Sequence, residues 1–164
     1  MKVLIVAKTR QGSRACVGGI TSEGQSVRLR AADYDVDESA GMEYQVGEVW
    51  EMECAPAPSV IPPHVENVVV HSKRKLGLAH DLIGSIERYM PPVCGGPELL
   101  YEGLVRVRPG GSLYIAEAAG VPCRSTMFWR PDRPLTRDDS GKRIRYRYTS
   151  PDGDRSLVFV GFQD

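Results

Sequence analysis

The segment ACVGGITSEGQSVRLRA, residues 15–31, contains two strand patterns separated by a turn. Residues 15–21 are mostly small, β-branched or apolar, and their number fits a short strand. The pair Gly18–Gly19 inside this strand is typical of a bulge or a sharp bend. Residues 22–25 are turn-forming types, so the segment predicts that the chain reverses here and continues as the third strand of a meander.

The strand at residues 26–31 has one apolar face and one basic face. Val27 and Leu29 alternate with Arg28 and Arg30, and side chains two residues apart lie on the same side of a strand. We therefore expect the valine and the leucine to enter a core and the two arginines to form part of a basic outer face.

Strand patterns also occupy much of the chain on either side of this segment. Residues 2–7 form an apolar run that fits a buried first strand, and residues 46–54 alternate as a half-buried strand does. Alternation returns after residue 98, most clearly in KRIRYRYT at residues 142–149. We count ten or eleven short strands, which predicts an all-β fold in which each half can form a small five-stranded barrel.

One segment has helical periodicity. Residues 80–90 carry apolar side chains near helical spacing, and Asp81 is placed to cap the helix N-terminus. Pro91 and Pro92 end this helix, and VCGGP at residues 93–97 follows as a linker. The sequence therefore predicts one linking helix between two β-rich halves.

Charge is balanced over the whole chain but not between its halves. The 164 residues include 21 Lys and Arg and 21 Asp and Glu. Residues 1–100 carry 10 basic and 13 acidic side chains, whereas residues 101–164 carry 11 basic and 8 acidic ones. A polyanion is therefore expected to prefer the C-terminal half. No run is long enough to cross a bilayer, and MKVLIVAK lacks a signal-peptide cleavage region, so we expect no membrane partner and a cytoplasmic protein.

The acidic residues of the first half are concentrated in residues 31–56, which contain eight of them and no Lys or Arg. Such a run is usually a solvated loop. A calcium loop is the alternative, because Asp33, Asp35 and Asp37 alternate along the chain. The glycine and the distal glutamate of an EF-hand are missing, however, which argues against it.

The four cysteines, Cys16, Cys54, Cys94 and Cys123, are dispersed and form no C-x-x-C pair. We expect them to be buried reduced thiols that form no disulfide and bind no zinc. Familiar catalytic motifs are absent, and no spacing selects one cysteine and one histidine as a nucleophile and its base. We therefore favour a non-catalytic protein without a cofactor or a metal.

Aromatic and basic residues meet in STMFWRPDRPL, residues 125–135. The two prolines favour an extended backbone, on which aromatic faces next to guanidinium groups suit unpaired bases and phosphates. The alternative is structural: the aromatic rings fill a core and the arginines pair with nearby aspartates. A second basic face is expected on residues 142–149, where arginines alternate with Ile144 and two tyrosines.

These patterns select nine candidate nucleic-acid-binding residues, and arginine suits phosphate contact through its planar donor fork. The candidates are Arg28, Arg30, Phe128, Trp129, Arg130, Arg133, Arg143, Arg145 and Arg147. A charged outer face that only keeps a sheet soluble is the alternative for each arginine cluster.

Motifs spread over nearly the whole chain resemble the bacterial dual OB-containing domain family. They are VLIVAKTR, CVGGIT, the G-x-S-V-R-L run, VGEVWE, PPHVENV, GSLYI, FWRPDRPL and LVFVGF. The resemblance implies two consecutive OB-like barrels and a role in nucleic-acid recognition, in prokaryotic defence or mobile-element operons. It supplies no catalytic residues, and OB folds also bind proteins and small ligands. The acidic residues 31–56 depart from what a nucleic-acid-binding barrel needs and weaken the case for the first barrel.

We predict OB-like barrels at residues 1–76 and 98–164, joined by a helix and linker at residues 77–97. The leading hypothesis is a non-catalytic module that binds single-stranded or structured nucleic acid, either DNA or RNA. One alternative is a protein-interaction or scaffolding module with a partner protein. The other is a small-ligand or nucleotide sensor that uses the cleft between the barrels.

Overall fold

The computed structural model of the protein describes residues 1–31 and 41–158, apart from the side chain of Gln11. The chain divides into two compact units, one spanning Met1–Pro91 and one that begins at Pro92. The aspartates considered for a calcium loop lie outside the described residues, as does the end of LVFVGF. Within the described part, no helix has the length and apolar character needed to span a membrane.

The first unit is a closed barrel followed by a helix. Its elements are β1 (Lys2–Gln11), β2 (Arg14–Thr21), β3 (Ser26–Ala31), β4 (Glu48–Pro56), β5 (Asn67–Leu78) and α1 (Leu82–Tyr89). The strands close in the order β1-β2-β3-β5-β4. β3 and β5 run parallel, and the other neighbouring strands are antiparallel. The first of the two predicted five-stranded barrels is therefore confirmed.

The barrel interior follows the predicted alternation. Val27 and Leu29 of β3 are buried in the core with Val17 of β2. Arg28 and Arg30 are only half-buried, because they lie on the other face of β3. The two-residue period of this strand thus separates the core from a basic outer surface, as the sequence predicts.

The glycine pair of β2 lies opposite an irregularity in β1. The register between the two strands shifts between Ile5 and Ala7, so the predicted bulge exists but its extra residue is on β1. A Cβ at Gly19 would overlap Cγ1 of Val3 and lie 3.1 Å from the carbonyl oxygen of Leu4. Glycine at position 19 therefore allows β2 to pack tightly against β1.

Helix α1 starts as the sequence predicts. Oδ1 of Asp81 accepts a hydrogen bond from the backbone N–H of Gly84 at 2.9 Å, which satisfies one of the unpaired donors of the first turn. The helix ends at Tyr89, two residues before Pro91.

The second unit contains short strands in three sheets. The strands are β6 (Val93–Gly95), β7 (Val105–Val107), β8 (Leu113–Ile115), β9 (Trp129–Pro131), β10 (Leu135–Asp138), β11 (Arg145–Ser150) and β12 (Gly153–Val158). β10, β11 and β12 form one antiparallel sheet, β7 pairs with β8, and β6 pairs with β9 in parallel. As far as this unit is described, its sheets do not close into a barrel.

Several predictions differ from the structure in this half. Part of the expected linker, Val93–Gly95, is strand β6, because its backbone pairs with β9. Two 3-10 helices, Pro97–Gly103 and Glu117–Ala119, were not expected beside the single predicted helix. The four cysteines were expected to be buried, but Cys94 and Cys123 are exposed and Cys16 and Cys54 are only half-buried. The barrel bounds of 1–76 and 98–164 stay a prediction, whereas the two units divide between Pro91 and Pro92.

Candidate functional site

The outer face of β2 and β3 carries the first cluster of predicted site residues. Arg28 lies on β3 opposite Gly18 of β2, and glycine leaves open space beside the arginine side chain. On the other side Arg28 is in register with Asn67 at the start of β5. Arg28 therefore lies between β2 and the first residue of β5, which follows the connection between β4 and β5.

The guanidinium of Arg28 is held by two partners on the same face. Nη1 donates to Nδ1 of His64 at 3.0 Å, and Nη2 donates to Sγ of Cys16 at 3.2 Å. Because Nδ1 accepts this bond, the imidazole carries its proton on Nε2. The imidazole nitrogen that faces the cluster is thus occupied and is not a base for the Cys16 thiol. The arrangement fixes the position of the Arg28 guanidinium on this face.

Arg30 lies on the same face of β3, two residues further along the strand, and has a different setting. It lines a cleft of about 540 Å³ together with Tyr44, His71 and Lys73. Lys73 lies over the ring of Tyr44, with Nζ 4.9 Å from the ring centroid. Burial of the phenol raises the pKa of Tyr44, so this ring is neutral at physiological pH.

Three glutamates of the first unit are paired with the basic triplet at residues 73–75 of β5. Within the β4–β5 ladder, Arg74 binds the carboxylate of Glu51 at 2.6 Å. Lys75 binds Glu48, and Lys73 binds Glu43. The bond with Arg74 lowers the pKa of Glu51. These carboxylates therefore neutralise cations on β5, whereas Arg28 of β3 is bound to His64 and Cys16.

In the second unit, Trp129 of β9 makes internal contacts. Its indole Nε1 donates to the carbonyl oxygen of Gly95 at 2.8 Å. Its ring centroid lies 5.8 Å from that of Tyr148, with the planes tilted by 49°. Phe128, the preceding residue, is half-buried, and its carbonyl oxygen accepts from the backbone N–H of Val93. These contacts favour the structural alternative for both aromatic residues.

The arginines of β11 form an exposed row, as the alternation predicts. Arg145 and Arg147 are exposed, whereas Ile144 and Tyr148 are buried. Arg147 lies 3.3 Å from a carboxylate oxygen of Asp138 and 3.7 Å from one of Asp154, across both neighbouring strands. Arg145 instead contacts the hydroxyl of Ser156 at 3.3 Å. β11 begins at Arg145, whereas the sequence pattern predicted a strand over residues 142–149. Arg143 therefore lies outside the strand, and it is exposed.

The remaining candidates of this unit lie near β9. Arg130 is an exposed residue of that strand, and Arg133 is exposed two residues after its end. Arg133 lines a cleft with Asp132 and Tyr148. Tyr148, on the buried face of β11, thus contacts Trp129 and lines the same cleft as Arg133.

Three important residues were not among the nine candidates. His64 and Cys16 bind the guanidinium of Arg28. The only sequence signal for these two residues was that they lie in the PPHVENV and CVGGIT motifs. Tyr148 was placed on the apolar face of its strand, but its hydroxyl donates to Asp132 at 2.7 Å. A polar partner for a buried tyrosine cannot be found from strand alternation, because that pattern gives the face and not the contact.

Comparison with known proteins identifies a family for this chain but no individual relative. Neither the curated proteins nor the solved structures contain a match to this chain. The profile of the dual OB-containing domain (DuOB) matches residues 1–160. The barrel order of the first unit agrees with this profile, since the OB fold is a five-stranded Greek-key barrel. The chain therefore belongs to the dual OB-containing domain family.

Proposed function

We propose that the protein is a non-catalytic module that binds single-stranded nucleic acid across the outer face of β2 and β3. The observation that supports this most directly is the guanidinium of Arg28, held between His64 and Cys16 on that face. OB folds bind oligonucleotides with strands 2 and 3 and with the loops between strands 1 and 2 and strands 4 and 5. His64 belongs to the second of these loops.

The side chains of this face suit a flexible strand. A guanidinium that is already oriented loses less conformational entropy when it binds a phosphate oxygen. An imidazole beside it offers a ring on which an unpaired base can stack. Arg30, further along β3, extends the basic track by one side chain. These contacts provide affinity with only a modest sequence preference.

The acidic residues of β4 do not remove this basic face. Glu48 and Glu51 lie on the β4–β5 ladder, where they bind Lys75 and Arg74. β5 separates β4 from β3 in the barrel order. Glu48 and Glu51 therefore weaken binding at the basic triplet more than at Arg28.

The proposal includes a second OB-like barrel at residues 98–164 that contributes further phosphate contacts. The second barrel is supported by the match of the dual OB-containing profile to residues 1–160. The phosphate contacts are supported by the exposed arginine row of β11 and by the positive balance of the C-terminal half. The phosphate contacts are assigned to Arg130, Arg133, Arg143, Arg145 and Arg147. Phe128 and Trp129 are left out of this assignment, because their contacts favour a structural role. A cytoplasmic location and a role in prokaryotic defence or mobile elements also belong to this proposal.

The test is an oligonucleotide-binding titration by fluorescence anisotropy at several salt concentrations. Single-stranded DNA, single-stranded RNA and duplex DNA are compared on the full chain. Arg28→Ala and Arg30→Ala should each weaken binding to single strands about equally for different sequences. Each should also reduce the slope of log affinity against log salt by about 1, because one phosphate contact is lost.

Arg88→Ala is the matched control, because Arg88 is an exposed arginine of the same unit that lies on α1. It removes the same charge and should leave the salt slope unchanged. Equal losses for Arg28→Ala and Arg88→Ala would contradict the β2–β3 site. No binding to any oligonucleotide at low salt would contradict the proposed function as a whole.

A protein-interaction module is the second candidate, and one feature favours it. The connection between β4 and β5 exposes three apolar side chains, among them Ile61, which is 68% exposed; the others are Val60 and Val65. Apolar residues at a surface often mark a protein contact. Ile61→Asp should then abolish capture of a protein partner by the purified chain but leave oligonucleotide binding intact.

A further inference from the structure

A cleft of about 440 Å³ lies within the second unit, separate from the β2–β3 face. The hairpin of β7 and β8 supplies its apolar side, which consists of Val105, Val107 and Leu113. The other lining residues are mainly polar and include Asp132, Arg133 and Tyr148. The volume is in the range of small-molecule sites, and the pairing of an apolar wall with a few polar groups is typical of them.

Asp132 is held in place by a series of contacts. The hydroxyl of Tyr148, which is buried, donates to Oδ1 of Asp132 at 2.7 Å. This bond raises the pKa of Tyr148, so the phenol remains the donor and the carboxylate the acceptor. The ring of Tyr148 is in turn fixed against Trp129. Asp132 itself is exposed, and its carboxylate has further acceptor capacity.

The charges around the cleft restrict the ligand. Glu98 and Asp152 also line it, so three carboxylates face two arginines. The side chain of Arg155 already makes a hydrogen bond within the protein, because its Nη1 donates to the carbonyl oxygen of Gly153 at 2.9 Å. Inorganic phosphate alone is therefore disfavoured. A suitable ligand must offer hydrogen-bond donors to Asp132 and an apolar surface to the hairpin.

We propose that this cleft binds the guanine base of an unpaired nucleotide, with Asp132 as the acceptor and Arg133 next to the phosphate. The choice of a nucleotide rests on the proposed function. Guanine presents two adjacent donors, N1–H and the exocyclic amino group, and one carboxylate can accept from both. Adenine and cytosine place an acceptor beside their amino group, and uracil places a carbonyl on each side of its N–H. Only guanine therefore matches a carboxylate without leaving an unpaired acceptor against it.

The experiment is isothermal titration calorimetry of the full chain with GMP, AMP, CMP, UMP, guanosine and inorganic phosphate. GMP should bind about tenfold or more tightly than the other three nucleotides, as expected for one bidentate contact. Asp132→Asn should lower GMP affinity by a similar factor, because the amide presents a donor where guanine needs an acceptor. Its remaining oxygen still accepts from Tyr148, so the fold should be kept. Asp139→Asn, at an exposed aspartate outside the cleft, is the control and should have no effect.

Arg133→Ala gives a second readout that does not depend on the fold, because Arg133 is exposed. It should weaken GMP binding several-fold and leave guanosine binding unchanged. Equal affinity for all four nucleotides, or Asp132→Asn with unchanged GMP affinity, would overturn the proposal. Binding of arginine amide in place of GMP would also overturn it and indicate a basic side chain of a protein. If oligonucleotides bind with a salt dependence but GMP does not bind, the cleft proposal fails and the proposed function stands.

Discussion

Gly19 is a residue at which the barrel requires the absence of a side chain. A Cβ there would overlap a methyl group of Val3, and this valine is fully buried. We expect Gly19→Ala to lower the free energy of unfolding by about 1–3 kcal/mol, as overpacked cores do. Gly18→Ala is the control, since its Cβ would meet only the Cβ of Ala7 at an ordinary 3.4 Å. Urea denaturation measures both, and equal effects would contradict this account.

Glu48 is a buried carboxylate that is stabilised by its donors. Oε2 accepts from the backbone N–H of Gln45 and from Nε1 of Trp50, each at 2.9 Å, and Oε1 binds Lys75. Burial alone would raise the pKa of Glu48, but the bonds from Lys75, Gln45 and Trp50 lower it on balance. The charged form is therefore favoured in the folded protein relative to the unfolded one.

Glu48→Gln should lower the free energy of unfolding at neutral pH by about 2 kcal/mol, because the charge-assisted bonds are lost. A lowered folded-state pKa contributes stability above the unfolded value, about 4.3 for glutamate. That contribution is lost as the pH falls through the folded-state pKa. The difference between wild type and variant should thus shrink as the pH falls below the unfolded value and through the lowered folded-state pKa of Glu48. Denaturation at several pH values, with exposed Glu53→Gln as the control, checks this, and a constant difference would contradict it.

At the scale of elements, β11 shows that exposed arginines on one strand are not equivalent. Arg147 lies between the carboxylates of Asp138 and Asp154 on the two neighbouring strands. Arg145 contacts a neutral hydroxyl. A phosphate that approaches Arg147 must compete with two carboxylates, whereas at Arg145 it displaces only a weak contact.

We therefore expect Arg145→Ala to weaken oligonucleotide binding more than Arg147→Ala does. The first change should reduce the salt slope by about 1, and the second should change it little. Anisotropy titrations over a salt series measure both quantities. The same loss from both variants, or a greater loss from Arg147→Ala, would contradict this order.

The elements also show what strand patterns can predict. The faces of β3 and β11 were predictable because burial follows a two-residue period. That β5 continues through Lys73 was not predictable, because the strand is stabilised there by the ion pair of Lys73 with Glu43 and by pairing with β4. Strand β6 was missed for a similar reason: Gly95 is typical of a linker, and only its pairing with β9 makes it a strand.

Over the whole molecule, basic and acidic residues are equal in number, so net charge gives no support to the proposed nucleic-acid binding. The placement of charge depends on the strand order β1-β2-β3-β5-β4, in which β3 pairs with a strand far along the chain. Sequence patterns predicted a five-stranded barrel but not this order, because the parallel pairing joins distant segments. For the same reason the contact of Arg28 with His64 could not be predicted.

The importance of placement can be tested with a charge-balanced variant. Arg28→Gln and Arg30→Gln remove two positive charges, and Glu53→Gln and Glu87→Gln, on β4 and α1, remove two negative ones. The fourfold variant keeps the formal charge of the wild type. At physiological salt, charges more than about 8 Å apart are largely screened. We therefore expect it to bind single-stranded oligonucleotides as weakly as the double arginine variant, while Glu53→Gln with Glu87→Gln alone binds like wild type. Recovery of wild-type affinity in the fourfold variant would show that overall charge, and not the β2–β3 face, governs binding.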